Sequence, residues 1–195
     1  MKMQMILAGH GGQGVLEMAN YISYLGLLSG RHVAYTPSYG PESRGGKVKC
    51  YVVISDAEID SPIVEEPDYL VCMNIPSMDF APMLKRGGTL LMNSSLIPQE
   101  PSRDDITLVK IPATEIAIEL RASNQEIPDT RIAANTVMLG AFLAVSGRDR
   151  DVPLLQDVFK HFLTDRKERF IKLNLEAAKH GFEYAKDFNR IMSTI

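Results

Sequence analysis

The sequence predicts an α/β protein: a Rossmann-like, mostly parallel sheet flanked by helices, with a helical C-terminal portion. Three observations carry this expectation. A short apolar run, residues 3–8, ends in a glycine-rich turn that opens directly into an amphipathic segment. Further short runs rich in β-branched residues recur as far as residue 111, separated by turn residues or helical periods. Beyond residue 132 only the helical period remains.

Taken in order, residues 3–8 are continuously apolar, as a strand buried on both faces should be. Val15, Met18, Ala19, Ile22, Leu25 and Leu28 then recur at three- and four-residue steps, which predicts a helix over 15–29 stopped by Gly30. Residues 32–36 form a second strand, so the opening reads as a strand–helix–strand unit. Residues 37–46 are rich in Pro, Gly and Ser and predict a loop. A strand over 48–54 follows, then a turn and extended segment over 56–66 that ends at Pro67. Residues 69–73 predict a buried strand, 78–85 a helix closed by Gly87 and Gly88, and 89–92 and 106–111 two more strands. Pro112 suits the first position of a helix running to about Arg121. Residues 123–130 are polar and predict a surface loop. The nearly all-apolar segment 132–145 predicts a helix that is buried or lies in an interface. Helices over 152–163 and 167–189 complete the chain, the last with Phe170, Leu173, Ala177, Gly181, Tyr184 and Phe188 on one face. No repeat or linker interrupts the pattern, so residues 1–195 read as a single α/β domain.

Composition narrows the function. An apolar fraction of 45% is enough for a core without metal or disulfide staples. A net charge of −3 and a pI near 5.8 do not suit a nucleic-acid binder. Cys50 and Cys72 lie in strand-like runs and read as buried thiols. Two cysteines cannot supply the four thiolates of an ordinary iron–sulfur cluster, and neither CxxC nor HExxH occurs, so no metal site is predicted. No signal peptide is visible, and no apolar run nears the ~20 residues that span a bilayer. A cytoplasmic protein away from membranes is expected.

Two glycine loops carry the chemistry. Gly9-His10-Gly11-Gly12-Gln13-Gly14 fits G-x-G-x-x-G between a strand and a helix. Glycines let backbone N–H groups approach a ligand, and the helix N-terminus adds partial positive charge, so the turn is suited to an anion. The bland alternative is that the glycines serve only close strand–helix packing. A nicotinamide or flavin site also needs an acid near the end of the second strand. Tyr35, Thr36 and Pro37 stand there instead, and no Gly-Lys-Ser/Thr makes a Walker loop. The second loop contains Tyr39, Gly40, Pro41, Glu42, Ser43, Arg44, Gly45 and Gly46, and starts at the same sheet edge as the first. Arg44 offers a planar fork for phosphate or carboxylate, or links to Glu42 and merely shapes the loop. His10 is a general-base candidate without a carboxylate nearby in sequence, which favours an ordinary turn residue. Asn135 either reaches this rim or caps its own helix.

Both loops together resemble the gamma subunit of the 2-oxoacid:ferredoxin oxidoreductases. The resemblance continues through Ile54-Ser55-Asp56, Ile59, Ser61-Pro62-Ile63, Pro67-Asp68-Tyr69-Leu70-Val71 and Asn74. It reappears in Asn135-Thr136-Val137-Met138-Leu139-Gly140-Ala141 and in Asn174, Ala177, Gly181 and Tyr184. The Pro-Glu-x-Arg-Gly-Gly form is more similar to the 2-oxoglutarate or branched-chain 2-oxoacid enzymes than to the pyruvate ones, with 2-oxoglutarate preferred, while Lys47-Val48-Lys49 departs from the pattern. The resemblance implies a complex that oxidatively decarboxylates a 2-oxoacid to an acyl-CoA and passes electrons to ferredoxin. Thiamine diphosphate, magnesium and iron–sulfur clusters would then belong to partner subunits (alpha, beta and delta), and this chain would hold no catalytic residue. It implies a coenzyme A site here, with Gly9, Gly11, Gly12, Gln13, Gly14, Tyr39, Gly40, Glu42, Arg44, Gly45 and Asn135 as its residues. Two other readings stay open: an assembly subunit with no ligand of its own, and a stand-alone dinucleotide-binding oxidoreductase.

Overall fold

The computed structural model describes residues 1–40, 46–123, 133–163 and 168–192. These form a six-stranded sheet of β1 (Lys2–His10), β2 (His32–Tyr39), β3 (Lys47–Ser55), β4 (Tyr69–Cys72), β5 (Thr89–Asn93) and β6 (Thr107–Ile111), in the order β2-β3-β1-β4-β5-β6. β1, β4, β5 and β6 are parallel neighbours, and β3 runs antiparallel to both β1 and β2. The expected mostly parallel α/β sheet is therefore present, with one difference. The opening strand–helix–strand unit does not place its two strands side by side, because β3 returns as a hairpin from β2 and takes the position next to β1.

Alternation along the strands sorts side chains into two cores. Met3, Met5 and Leu7 of β1, Cys50, Val52 and Ile54 of β3, and Val71, Leu91 and Val109 face the larger core. Residues of each of the five α-helices among the described residues join them there: α1 (Val15–Leu28), α2 (Ala113–Ser123), α3 (Ala134–Val145), α4 (Leu155–Phe162) and α5 (Glu168–Met192). Ile6, Ala8, Val53, Leu70, Cys72, Leu90 and Met92 face the smaller core, covered by Val64, Ile97 and a 3-10 segment over Ile75–Met83. The helices are thus gathered on one face of the sheet rather than shared between two. Both cysteines are fully buried, one in each core, and burial pushes each thiol up to about 12.

Several expected boundaries shift for identifiable reasons. The helix over 78–85 is instead this 3-10 segment, with Pro76 at its start and Pro82 inside it. A proline at 82 has no N–H to give the carbonyl of residue 78, so an α-helix cannot run through it. Asn74 caps the segment, accepting from the Ser77 N–H at 3.1 Å. Arg103 anchors its far end by donating to the carbonyls of Ala81 (3.0 Å) and Leu84 (2.6 Å) while paired with Asp105. Pro37–Tyr39, expected in a loop, continues β2 as an edge strand, where a missing N–H is tolerated. The helix expected over 152–163 begins as a 3-10 turn, Asp149–Leu154, before α4. The loop expected over 123–130 lies outside the described residues, apart from Ser123 at the end of α2.

Helix α3 is buried along nearly its whole length, as its composition implies. It crosses α5 at two glycines: a Cβ at Gly140 would lie 1.8 Å from the Ala178 carbonyl oxygen, and one at Gly181 would lie 1.9 Å from that of Val137. The helix backbones touch there with no side chain between them. Among the described residues no helix is long and apolar enough to cross a membrane.

Candidate functional site

The carboxyl ends of β1, β4 and β5 meet at one rim, and the first glycine turn sits at its centre. Gly12 (φ 93°) and Gly14 (φ 72°) adopt the left-handed conformation that bends the chain from β1 into α1. Gln13 locks this bend. Its Oε1 accepts from the His10 backbone N–H at 2.8 Å and from Asn74 Nδ2 at 2.7 Å, while its Nε2 donates to the Met73 carbonyl at 3.3 Å. One side chain thereby ties the turn to itself and to the end of β4. Gly9 makes room for it, since a Cβ there would lie 2.8 Å from Gln13 Oε1.

Asn135 answers the question the sequence leaves open. It sits fully buried in the first turn of α3 and reaches across to the turn. Its Nδ2 donates to the Gly14 carbonyl at 3.2 Å and to the Glu17 carboxylate at 3.1 Å. Behind it, Thr136 donates its hydroxyl to Asn174 Oδ1 at 2.6 Å, and Asn174 donates to the Phe170 carbonyl at 2.8 Å. This buried polar chain joins α5, α3 and the start of α1, so the motif residues of α3 and α5 act as support for the turn.

The described ends of the second loop lie on the same rim as the first turn. His10 pairs with Lys47 across β1 and β3, the Gly11 N–H donates to the Gly46 carbonyl at 3.0 Å, and the Gly40 N–H donates to the Lys47 carbonyl at 2.7 Å. Tyr39 and Gly40 thus lie at this rim. Glu42, Arg44 and Gly45 lie outside the described residues, so the proposed clamp and the Glu42–Arg44 link are not placed. The expected cradle also narrows. The Gly11 N–H is spent on Gly46, and the Gln13 N–H on the His10 carbonyl at 3.1 Å. Among the described residues no partner takes the N–H of Gly12 or Gly14, and the first turn of α1, which has no side-chain cap, supplies the remaining donors. No ion pair reaches His10 among the described residues, and no group of three or more His, Cys, Asp or Glu there is placed to hold a metal.

Two hollows flank the turn. On the helical face a crevice of about 310 Å³ is lined by Gly12, Met73, Asn93, Leu96, Thr114 and Ile118 among others. It lies where the chain's connections diverge, from β1 to one side of the sheet and from β4 to the other, which is where open α/β sheets bind ligands. On the opposite face a hollow of about 200 Å³ is lined by Tyr39, Lys47, Lys49 and Phe80. There Lys47 pairs with Asp79 at 3.1 Å and Lys49 lies over the rings of Tyr51 and Phe80. Sequence reasoning missed Asn93, Thr114, Leu96 and Ile118. The signal for Asn93 is a polar residue closing an otherwise apolar strand at the rim.

Comparison with known proteins gives this arrangement a family. Residues 4–184 match the family model described as pyruvate ferredoxin/flavodoxin oxidoreductase. The ketoisovalerate oxidoreductase subunit VorA of Methanothermobacter marburgensis is 36% identical over 181 residues, covering 92% of this chain. This chain spans only 36% of that relative's length. The 2-oxoglutarate synthase subunit KorC of Methanocaldococcus jannaschii is 37% identical over 194 residues, covering 96% of each chain. Among solved structures, the gamma subunit of a keto/oxoacid ferredoxin oxidoreductase from Geobacter sulfurreducens superposes with a TM-score of 0.72 at 28% identity, covering 94% of this chain and 98% of that one. The 2-oxoglutarate:ferredoxin oxidoreductase of Magnetococcus marinus, solved with 2-oxoglutarate, coenzyme A and succinyl-CoA bound, shares the fold with a TM-score of 0.82 at 20% identity, covering 95% of this chain and 31% of that one. From the paired glycine loops to the matched 181-residue span, this chain belongs to the pyruvate ferredoxin/flavodoxin oxidoreductase family.

Proposed function

We propose that this chain is the gamma subunit of a cytoplasmic 2-oxoacid:ferredoxin oxidoreductase, with 2-oxoglutarate as substrate, and that its glycine rim holds the phosphates of coenzyme A. The observation that carries the reading is the joining of the two loops by the Gly11–Gly46 hydrogen bond at the carboxyl edge of the sheet. The residues fit an anion there. Gly12 is exposed with open space where a Cβ would stand, and α1 begins without a side-chain cap. Coenzyme A, when bound, supplies the thiol that accepts the acyl group. Thiamine diphosphate, magnesium and iron–sulfur clusters belong in this reading to the alpha, beta and delta partners, and ferredoxin takes the electrons from the assembled complex. This chain orients the phosphates through Gly12, Gly14 and the first turn of α1, with Arg44 as the charged clamp.

A relative of matching length supports the substrate, since the KorC subunit covers 96% of both chains. One observation favours a second reading, an assembly subunit whose loops touch only partner subunits. Glu17 places a carboxylate in the first turn of α1, giving the helix dipole a negative charge from the chain itself. The stand-alone dinucleotide reading loses support, because β3 fills the place beside β1 that the second strand of such a site occupies. Coenzyme A titration of the assembled complex and of its Arg44→Ala variant separates the first two. The proposal expects the apparent KM for coenzyme A to rise about tenfold or more with kcat nearly unchanged. An unchanged KM removes the clamp, and a complex that prefers a branched-chain 2-oxoacid removes the substrate assignment.

A further inference from the structure

The structure assigns the free edge of β2 as a surface for a second copy of this chain, strand against antiparallel strand about a two-fold axis at Ala34. Hydrogen bonds elsewhere in the sheet fix which groups of this edge are free. The Gly40 N–H donates to the Lys47 carbonyl, and this pair continues the register that runs from His32↔Ser55 to Tyr39↔Val48. Even-numbered residues of β2 therefore turn their N–H and C=O groups to β3, and Val33, Tyr35, Pro37 and Tyr39 turn theirs outward. Among the described residues no strand pairs with that outer side. The two edges of the sheet are also guarded differently. β6 is five residues long and carries Lys110, paired with Glu100 at 2.7 Å, and a short charged strand resists edge pairing. β2 is eight residues long and holds no Asp, Glu, Lys or Arg, so a second copy meets it without like-charge repulsion.

Pro37 selects the register. It is the one guard on this edge, because its missing N–H falls on the outer side. An axis at Tyr35 or Thr36 would set Val33 or Tyr35 against Pro37 of the second copy and leave a carbonyl without a donor. An axis at Ala34 keeps Pro37 out of the ladder. Val33 of each copy then faces Tyr35 of the other, and both residues use their outward N–H and C=O. The side chains suit this arrangement. Val33 and Tyr35 already pack on the larger core, and a β-branched residue opposite an aromatic one is a favourable cross-strand pair. Ala34, on the other face, would stand opposite its own copy at the closest spacing of an antiparallel pair, where a small side chain fits. Helix α1 lies over this edge, with Gly26 against Val33, and its last turn leaves Leu27 55% and Leu28 44% exposed. Apolar surface thus continues from the strand onto the helix beside it.

The test reads both assembly and register, on the full chain and on the complex that contains it. Sedimentation of the full chain is expected to show a dimer. Ala34→Lys, which sets like charges directly opposite, is expected to weaken that dimer at least about tenfold. Ala34→Cys decides the matter where the lysine variant fails to fold. The axis places its two Cα atoms about 4.5 Å apart, within reach of a disulfide, so mild oxidation is expected to join two copies. Cys50 and Cys72 are buried and take no part. Thr36→Cys, which this register sets opposite His32 of the second copy, is expected to stay unlinked. A monomer at every concentration, or a folded Ala34→Cys chain that forms no interchain disulfide, overturns the pairing. Linking of Thr36→Cys in place of Ala34→Cys overturns the axis. In the complex, an Ala34→Cys thiol shielded from a thiol reagent without joining a second copy overturns the occupant and gives the edge to another subunit. None of these outcomes bears on the phosphate-binding reading of the turn.

Discussion

Substitution of Gly140 by alanine sets two opposed effects against each other, and the distances decide between them. In an exposed helix the change would stabilise by about 1 kcal/mol, because alanine loses less conformational freedom. Here the new Cβ would stand 1.8 Å from the Ala178 carbonyl oxygen, and the obstacle is backbone rather than a side chain that can swing away. To reach even 3.0 Å, a separation real Cβ atoms rarely undercut, α3 and α5 must part by about 1.2 Å. A gap of that size forfeits about half or more of the dispersion energy of each contact it opens, and the helices meet through fully buried Val137, Ala141, Ala177 and Ala178. Overpacking of this kind costs about 3 kcal/mol at the upper end of its usual range, so the net expectation is a loss of about 2 kcal/mol. Urea unfolding at constant m-value measures it directly. Gly181→Ala should behave alike, and the double variant should lose less than the sum, since the first alanine has already parted the helices. An unchanged or raised midpoint for Gly140→Ala would refute the backbone contact.

Three further outcomes follow from the same contacts. Asn135→Ala removes the bonds to Gly14 and Glu17 and should cost about 1–2 kcal/mol, with faster amide exchange at the start of α1; wild-type exchange there would mean that the turn holds itself. Cys50 and Cys72, with thiols pushed up to about 12 by burial, should resist a thiol reagent at pH 8 until denaturant is added, and prompt labelling of either would place it outside its core. Asp105 is held below the usual carboxylate range, first by its hydrogen bond from Arg103 and then by that cation's charge. A lowered folded pKa stabilises above the unfolded value near 4 and is lost as pH falls through the folded value, so acid titration should loosen the end of the 3-10 segment that Arg103 anchors. Asp105→Asn should abolish that acid dependence, and a titration of Asp105 at or above the ordinary range would show the pair to be broken.

The parts legible in the sequence are those that local pattern specifies. Residues 3–8, 48–54 and 69–73 read as strands because their apolar runs are the alternating walls of two cores, and α1 reads as a helix because its apolar stripe faces only one. The glycine turn and its shared rim with the second loop are legible for the same reason: strand ends and turn residues are local. Strand order is not local. Nothing in residues 47–55 states that they will enter between β1 and β2, because an edge position and a central position both demand apolar alternation. The prolines mislead in opposite directions, with Pro37 sitting inside a strand because that strand is an edge, and Pro82 turning an expected α-helix into a 3-10 one. Gln13 was legible as a member of the motif, but its three bonds to residues 10, 73 and 74 depend on β4 lying beside β1. Asn93 depends on the same neighbour, through the Met73 carbonyl.

The position of β3 also changes what the glycine motif means. In a dinucleotide site the turn after the first strand keeps its N–H groups for the pyrophosphate, and the neighbouring parallel strand presents an acid to the ribose. Here the antiparallel β3 brings the start of its own chain against the turn, and the Gly46 carbonyl takes the first donor, that of Gly11. What remains for an anion is the later half, Gly12, Gly14 and the first turn of α1, which Asn135 steadies from below and Gln13 pins to β4. Those donors lie away from the β2 side and beside the crevice over β4 and β5. The start of β3 and the turn are therefore joined through this one bond, and a break in it would free the Gly11 donor. The pairing of the two loops, rather than either alone, is the property that distinguishes this rim from the nucleotide folds its first motif suggests.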